Sequence, residues 1–113
     1  LAAHIAYWEA QSFLGDTFDS PLTRDLPRYY TSNVDQPFTA GLDAAQVSQE
    51  LTRTHEACKQ ALLADPHDSE DPCPHREGWT WGYTVEYQAF HVAYHAGQIY
   101  SVRHLLGHET ADN

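Results

Sequence analysis

Two histidines four residues apart, His91 and His95, sit inside Phe90-His91-Val92-Ala93-Tyr94-His95-Ala96-Gly97-Gln98-Ile99. On a helix, positions i and i+4 share one face with roughly 5–6 Å between Cβ atoms. That spacing lets two imidazoles reach one metal ion, with zinc–nitrogen bonds of about 2.0–2.1 Å. Gln98 follows His95 at i+3 on the same face. A pair fills two coordination places only, so a third ligand must come from another element. His4, on the border of an early amphipathic stretch, is the candidate. Three imidazoles (His4, His91 and His95) would leave one place open for water or substrate, as catalytic rather than structural sites do. Neutral imidazole serves zinc, nickel, iron and copper alike, so these ligands do not choose the metal. Each ligand also needs a partner for its other ring nitrogen. Gln98, Gln11, Glu9, Tyr7, Tyr94 and Tyr87 are within sequence reach of that role. The chain has eight histidines in 113 residues, so by spacing alone a pair of helix-surface histidines is an equal alternative.

The elements that must position these residues are helical. Residues 1 to 14 form the first, with Leu1, Ile5, Trp8 and Ser12 as a stripe, His4, Tyr7 and Gln11 beside it, and Gly15-Asp16 as its end. Residues 16 to 42 are irregular, punctuated by Pro21, Pro27, Asn33, Gln36-Pro37 and Gly41. Loops of this length are usually functional or partly disordered; Phe18, Tyr29, Tyr30 and Phe38 imply that this one packs down, with short helical turns.

Asp43 opens the second long helix as N-cap, with Gln46 at N3 and Leu42 and Val47 as a hydrophobic staple. Val47, Leu51, Cys58 and Leu62 make its stripe, and Pro66 ends it. His55 reads as a boundary residue. Residues 65 to 78 form a polar, Pro-rich connector that reads as a solvated acidic loop, although His67 and His75 could add to a cation site. Thr80 or Thr84 caps the last helix, and Gly107 stops it. Val85, Val92, Ile99 and Leu106, with Ala89 and Ala96, are its expected apolar positions. Gly97, which costs about 1 kcal/mol relative to Ala, suggests close approach of another backbone. His104, nine positions after His95, falls on the opposite face.

Composition narrows the function classes. The length fits one domain, residues 1–113. The formal net charge of −10 repels phosphate backbones and speaks against nucleic-acid binding. Nothing approaches the roughly 18 apolar residues of a membrane span, and no export signal is visible. Cys58 and Cys73 lack metal-type spacing, so free thiols in a reducing, cytoplasmic compartment are expected. The chain has no Met, and Leu1 falls inside an apparent helix without a cap before it; the natural protein is expected to continue N-terminal to it.

The run from His91 to Ile99, followed by Arg103-His104-Leu105-Leu106-Gly107, resembles the C-terminal helix of the DinB (DNA-damage-inducible) family: two histidines separated by three residues, then Gly-Gln and a hydrophobic residue. Leu1-Ala2-Ala3-His4-Ile5-Ala6-Tyr7-Trp8 resembles that family's second helix, with a single histidine near an aromatic. The resemblance implies an all-α four-helix bundle, here lacking its first helix, with a divalent metal (zinc, nickel, iron or manganese) on His4, His91 and His95. A bundle without that first helix would expose apolar surface. The resemblance further implies a metal-dependent S-transferase acting on a small-molecule substrate with a low-molecular-weight thiol of the mycothiol or bacillithiol type, a hydrolase being its neighbour, and a homodimer. It assigns no further catalytic residue. The skew to five Arg over one Lys leans toward mycothiol. Tyr7, Trp8, Trp79 and Trp81 are candidates for the substrate wall, or else core filler. The contrasting reading is a non-catalytic metal- or ligand-binding bundle or dimerisation module.

Overall fold

A computed structural model describes residues 1–31 and 37–109. Within them the chain is an all-α helical bundle: α1 (Ala2–Phe13), a short 3-10 turn (Gly15–Thr17), α2 (Leu26–Thr31), α3 (Ala44–Ala64) and α4 (Trp81–Leu105). The expected positions Asn33 and Gln36 lie outside the described residues.

α1 is the hub, packing against the 3-10 turn, α2, α3 and α4. Its alanines suit that place, because small side chains let neighbouring helices come close on more than one side. Ala3, Ala6 and Leu22 with Leu26 form one buried cluster, and Phe13 joins Cys58, Cys73 and Trp81 in a second. The expected stripe is thereby corrected. Ile5 and Ser12 are buried, but Leu1 is exposed and Trp8 half-buried, while Ala3, Ala6, Glu9, Ala10 and Phe13 are buried as well. A helix enclosed on several sides has no single apolar face.

The turn after α1 depends on Gly15, which has φ +68°, and a Cβ there would lie 2.9 Å from His75 Nδ1. α2 begins Leu26-Pro27. Proline fits because first-turn N–H groups have no intrahelical partner. Leu26 is buried, and Tyr29 and Phe38 pack against the same cluster.

α3 starts as its sequence indicates. Asp43 Oδ1 accepts from Gln46 N at 2.8 Å, and Gln46 Oε1 accepts from Asp43 N at 2.9 Å. Leu42 and Val47 pack on the first cluster, and Thr54 and Cys58 are the buried positions of its stripe. The connector then folds back on itself: Pro72 pairs with Thr80, and Cys73 N donates to Trp79 O at 2.8 Å. Much of it is exposed, as expected, but Cys73 is buried with its Sγ 3.6 Å from Ser12 O. This return carries Arg76 back to Trp8 of α1 and sets Trp79 against Tyr83 and Tyr87 of the last helix.

Thr80 caps α4, its hydroxyl accepting from Tyr83 N at 3.2 Å. At the other end Gly107 has φ +79°, Gly107 N donates to His104 O at 2.9 Å and His108 N to Arg103 O at 3.0 Å. These two bonds are the paired closure that a left-handed glycine gives a helix end. Two expectations for α4 fail. Among the described residues no atom of another element lies within 4 Å of a Cβ placed on Gly97, so no other described backbone approaches it. Val85, Val92, Ile99 and Leu106 are exposed, Leu106 at 69%, whereas Thr84, Gln88 and His91 are buried. α4 turns its polar stripe toward α1, where Gln88 and His91 meet Ser12 and His4; its apolar stripe faces outward.

Candidate metal centre

His4 comes from α1, His91 and His95 from α4. Their ring centroids form a near-equilateral triangle: 5.0 Å between His4 and His91, 4.6 Å between His4 and His95, and 4.6 Å between His91 and His95. One ligand nitrogen from each lies within 4.8 Å of the others. His4 Nε2 and His91 Nε2 approach to 3.0 Å.

The opposite ring nitrogens show which atoms are free to ligate. His95 Nδ1 lies 2.6 Å from Gln98 Oε1. A carboxamide oxygen only accepts, so Nδ1 carries the proton and Nε2 of the neutral ring keeps its lone pair. His4 Nδ1 lies 2.5 Å from the Tyr30 hydroxyl. With Nδ1–H donating to that oxygen, His4 also presents an Nε2 lone pair. His91 Nδ1 is buried and has no hydrogen-bond partner among the described residues. Lone pairs turned toward one another at this range repel unless a proton or cation lies among them. The donor set therefore fits a divalent ion of the nitrogen-preferring kind.

Burial and neighbouring charge favour the neutral form of His4 and His91, the form a metal needs. His4 is lowered from 6.5 to about 4, first by burial, then by the charges that His95, His91 and the N-terminus would present. His91 is lowered by burial, with His95 and the Arg76 guanidinium adding to it. Burial pushes the Tyr30 phenol up, so it stays a protonated hydrogen-bonding group.

A cavity of about 280 Å³ opens beside the histidines, lined by His4, Trp8, Arg76, Tyr87, Gln88 and His91. Tyr87 stacks on His91 with centroids 6.0 Å apart and planes at 16°.

Of the partners considered for the ring nitrogens, the structure bears out Gln98. Glu9 is engaged elsewhere: its Oε1 meets His55 Nδ1 at 2.7 Å on the α3 side, so His55 is a boundary residue with a buried carboxylate for a neighbour. Tyr30 was not foreseen; nothing local in an aromatic of a long loop announces a contact 26 positions away. Gln88 was legible but passed over, because Gln88, His91, His95 and Gln98 form one polar stripe at helical spacing. Arg76 had no local signal. Of the aromatic candidates, Trp8 lines the cavity. Trp81 is core, stacked on Phe13 at 6.3 Å and on His67 at 4.6 Å. Trp79 stands behind Arg76, and Tyr7 packs on the first buried cluster. Among the described residues His4, His91 and His95 are the set grouped for a metal; His67, His75 and His104 are not part of it.

An all-α bundle with three histidines converging from two helices defines the class. The family model of the DinB superfamily matches residues 1–99, and the chain belongs to that superfamily. No curated protein and no solved structure matches the chain. Among the described residues no helix is long and apolar enough to cross a membrane.

Proposed function

We propose that the protein binds one divalent metal ion through Nε2 of His4, His91 and His95 and uses it as an enzyme of the thiol S-transferase group. The observation that carries this reading is the convergence of three imidazoles whose outer nitrogens are occupied or buried while their inner nitrogens face one another. A metal held by three neutral imidazoles lowers the pKa of a thiol or water in its open place, as bound zinc does for water.

The remaining work falls to this chain's residues. Tyr30 and Gln98 fix the orientation of His4 and His95. Trp8 and Tyr87 wall the cavity with flat apolar surface and limit water there. Gln88 is anchored by donating from Nε2 to Ser12 Oγ at 2.7 Å and to Trp8 O at 3.3 Å, which ties the histidine-bearing face of α4 to α1. The substrate is a small molecule, in keeping with the cavity's size.

The test is a panel of low-molecular-weight thiols, mycothiol and bacillithiol included, with electrophilic acceptors, on metal-loaded protein and on His91→Ala. Metal-dependent conjugation lost in the variant supports the transferase. Bound metal without turnover on any thiol supports the second reading, a non-catalytic binding or association module. The outward apolar stripe of α4, with Leu105 86% and Leu106 69% exposed, favours that reading and would suit a homodimer contact.

A further inference from the structure

Among the described residues Arg76 is an arginine without an acid. Arg24 pairs with Asp19 and Arg53 with Glu50, each at 2.8 Å. The Arg76 guanidinium makes no ion pair or hydrogen bond with the described residues, in a chain of 16 Asp and Glu. Instead it lies against two indoles, its Cζ 4.1 Å from the Trp79 ring centroid and 5.4 Å from that of Trp8. Stacking of this kind holds the planar group by its faces and leaves its in-plane N–H donors unspent. Arg76 lines the same cavity as His4 and His91.

Gln88 gives a second, independent sign of a ligand there. It is only 4% exposed. Its Nε2 is spent on Ser12 and Trp8, yet Oε1 is buried without a partner among the described residues. Buried acceptors are normally satisfied. Gln88 lines the same cavity, so an N–H or O–H of a bound molecule is the partner this buried acceptor lacks.

We propose that Arg76 anchors a carboxylate, so that the molecule taken into this cavity is a small carboxylic acid with an apolar or aromatic body. Guanidinium matches carboxylate as a planar fork, giving two parallel N–H···O bonds. The carboxylate lies on Arg76, the body lies against Trp8 and Tyr87, and a donor on the body reaches Gln88 Oε1. At about 280 Å³ the cavity stands at the lower end of ligand sites, which run about 300–1,000 Å³, so the acid is small. The carboxylate belongs either to the electrophile or to the thiol co-substrate. The inference deepens the metal-centred reading above but needs only the cavity wall to stand.

Phenylacetate and its uncharged isostere phenylacetamide are the probes. Binding of each is measured by calorimetry and by tryptophan fluorescence, on the protein as purified and after metal removal with a chelator. Wild-type protein without metal should bind phenylacetate at least tenfold more tightly than phenylacetamide. Arg76→Gln should erase that preference and leave amide binding and metal content unchanged. Arg76→Lys, which keeps the charge but not the fork, should recover only part of it, and guards against a fold lost in the first variant. Equal affinities in the wild type, binding of neither probe, or a preference that survives Arg76→Gln would overturn the proposal. An Arg76-dependent preference in a protein that never holds metal would remove the metal-centred reading and leave this one standing. Bound metal with no such preference would do the reverse.

Discussion

His4 and His91, 87 positions apart, meet Nε2 to Nε2 at 3.0 Å. One ring rides on the central helix α1 and the other on α4, so the contact is also a tertiary pin between them. Both rings are lowered toward the neutral form, the form that can ligate a cation.

The outer contacts of the ligands should tune affinity without building the site. Tyr30→Phe removes the hydroxyl at His4 Nδ1, and Gln98→Leu removes the acceptor at His95 Nδ1. Loss of such partners typically costs about 10–100-fold in metal affinity. Competition with a chromophoric chelator should show a loss of that order for each variant, with unchanged helicity. Wild-type affinity in both would mean that neither contact orients a ligand.

The metal-free protein should lose stability in acid through these same rings. His4 titrates near 4 when folded, against 6.5 when free, and His91 is shifted in the same direction. Between those values the unfolded chain binds more protons, so stability falls as pH drops from about 6.5 toward 4 and gains nothing from these groups above it. Urea midpoints measured across that range should show the slope. His4→Gln should flatten it; an unaltered slope would assign the effect to other groups.

Cys58 should behave as an inert thiol. Burial pushes it up to about 12, and the Glu9 carboxylate adds to the shift. Alkylation by iodoacetamide at pH 8 should be slow in the folded protein and fast in denaturant, because only the thiolate attacks. Rapid labelling of the native chain at Cys58 would contradict its burial beneath α1.

Gly15 should resist substitution. At φ +68° a side chain costs about 1–2 kcal/mol, and here a Cβ would also meet the His75 ring. Gly15→Ala should destabilise by at least that amount in urea unfolding. His75→Ala in the same chain should return part of the loss, which separates the steric share from the backbone share.

What could be read in the residues was local. Asp43 and Gln46 cap each other within one turn, Gly107 closes α4 within one turn, and Gln98 meets His95 across one turn. Such contacts depend on helical geometry alone. Tyr30 reaches the site from α2, a helix of six residues that is too short to show a period, and Arg76 from a connector where no period connects residue number to position. The outward turn of Val85, Val92, Ile99 and Leu106 had a different cause. Apolar stripes are ordinarily read as inward, but here the buried positions of α4 are Trp81, Thr84, Gln88 and His91, so the face that meets α1 is largely polar. The expected close approach at Gly97 failed with it, because that residue sits on an exposed side of the helix.

Metal stoichiometry, determined by elemental analysis of the purified chain alongside His4→Ala and His91→Ala, tests the shared imidazole site most directly. One divalent ion per wild-type chain, with little or none in either variant despite intact helical signal, is the expected result. A wild-type chain that takes up no ion when offered zinc, nickel, iron or manganese, or variants that retain it in full, would contradict the account.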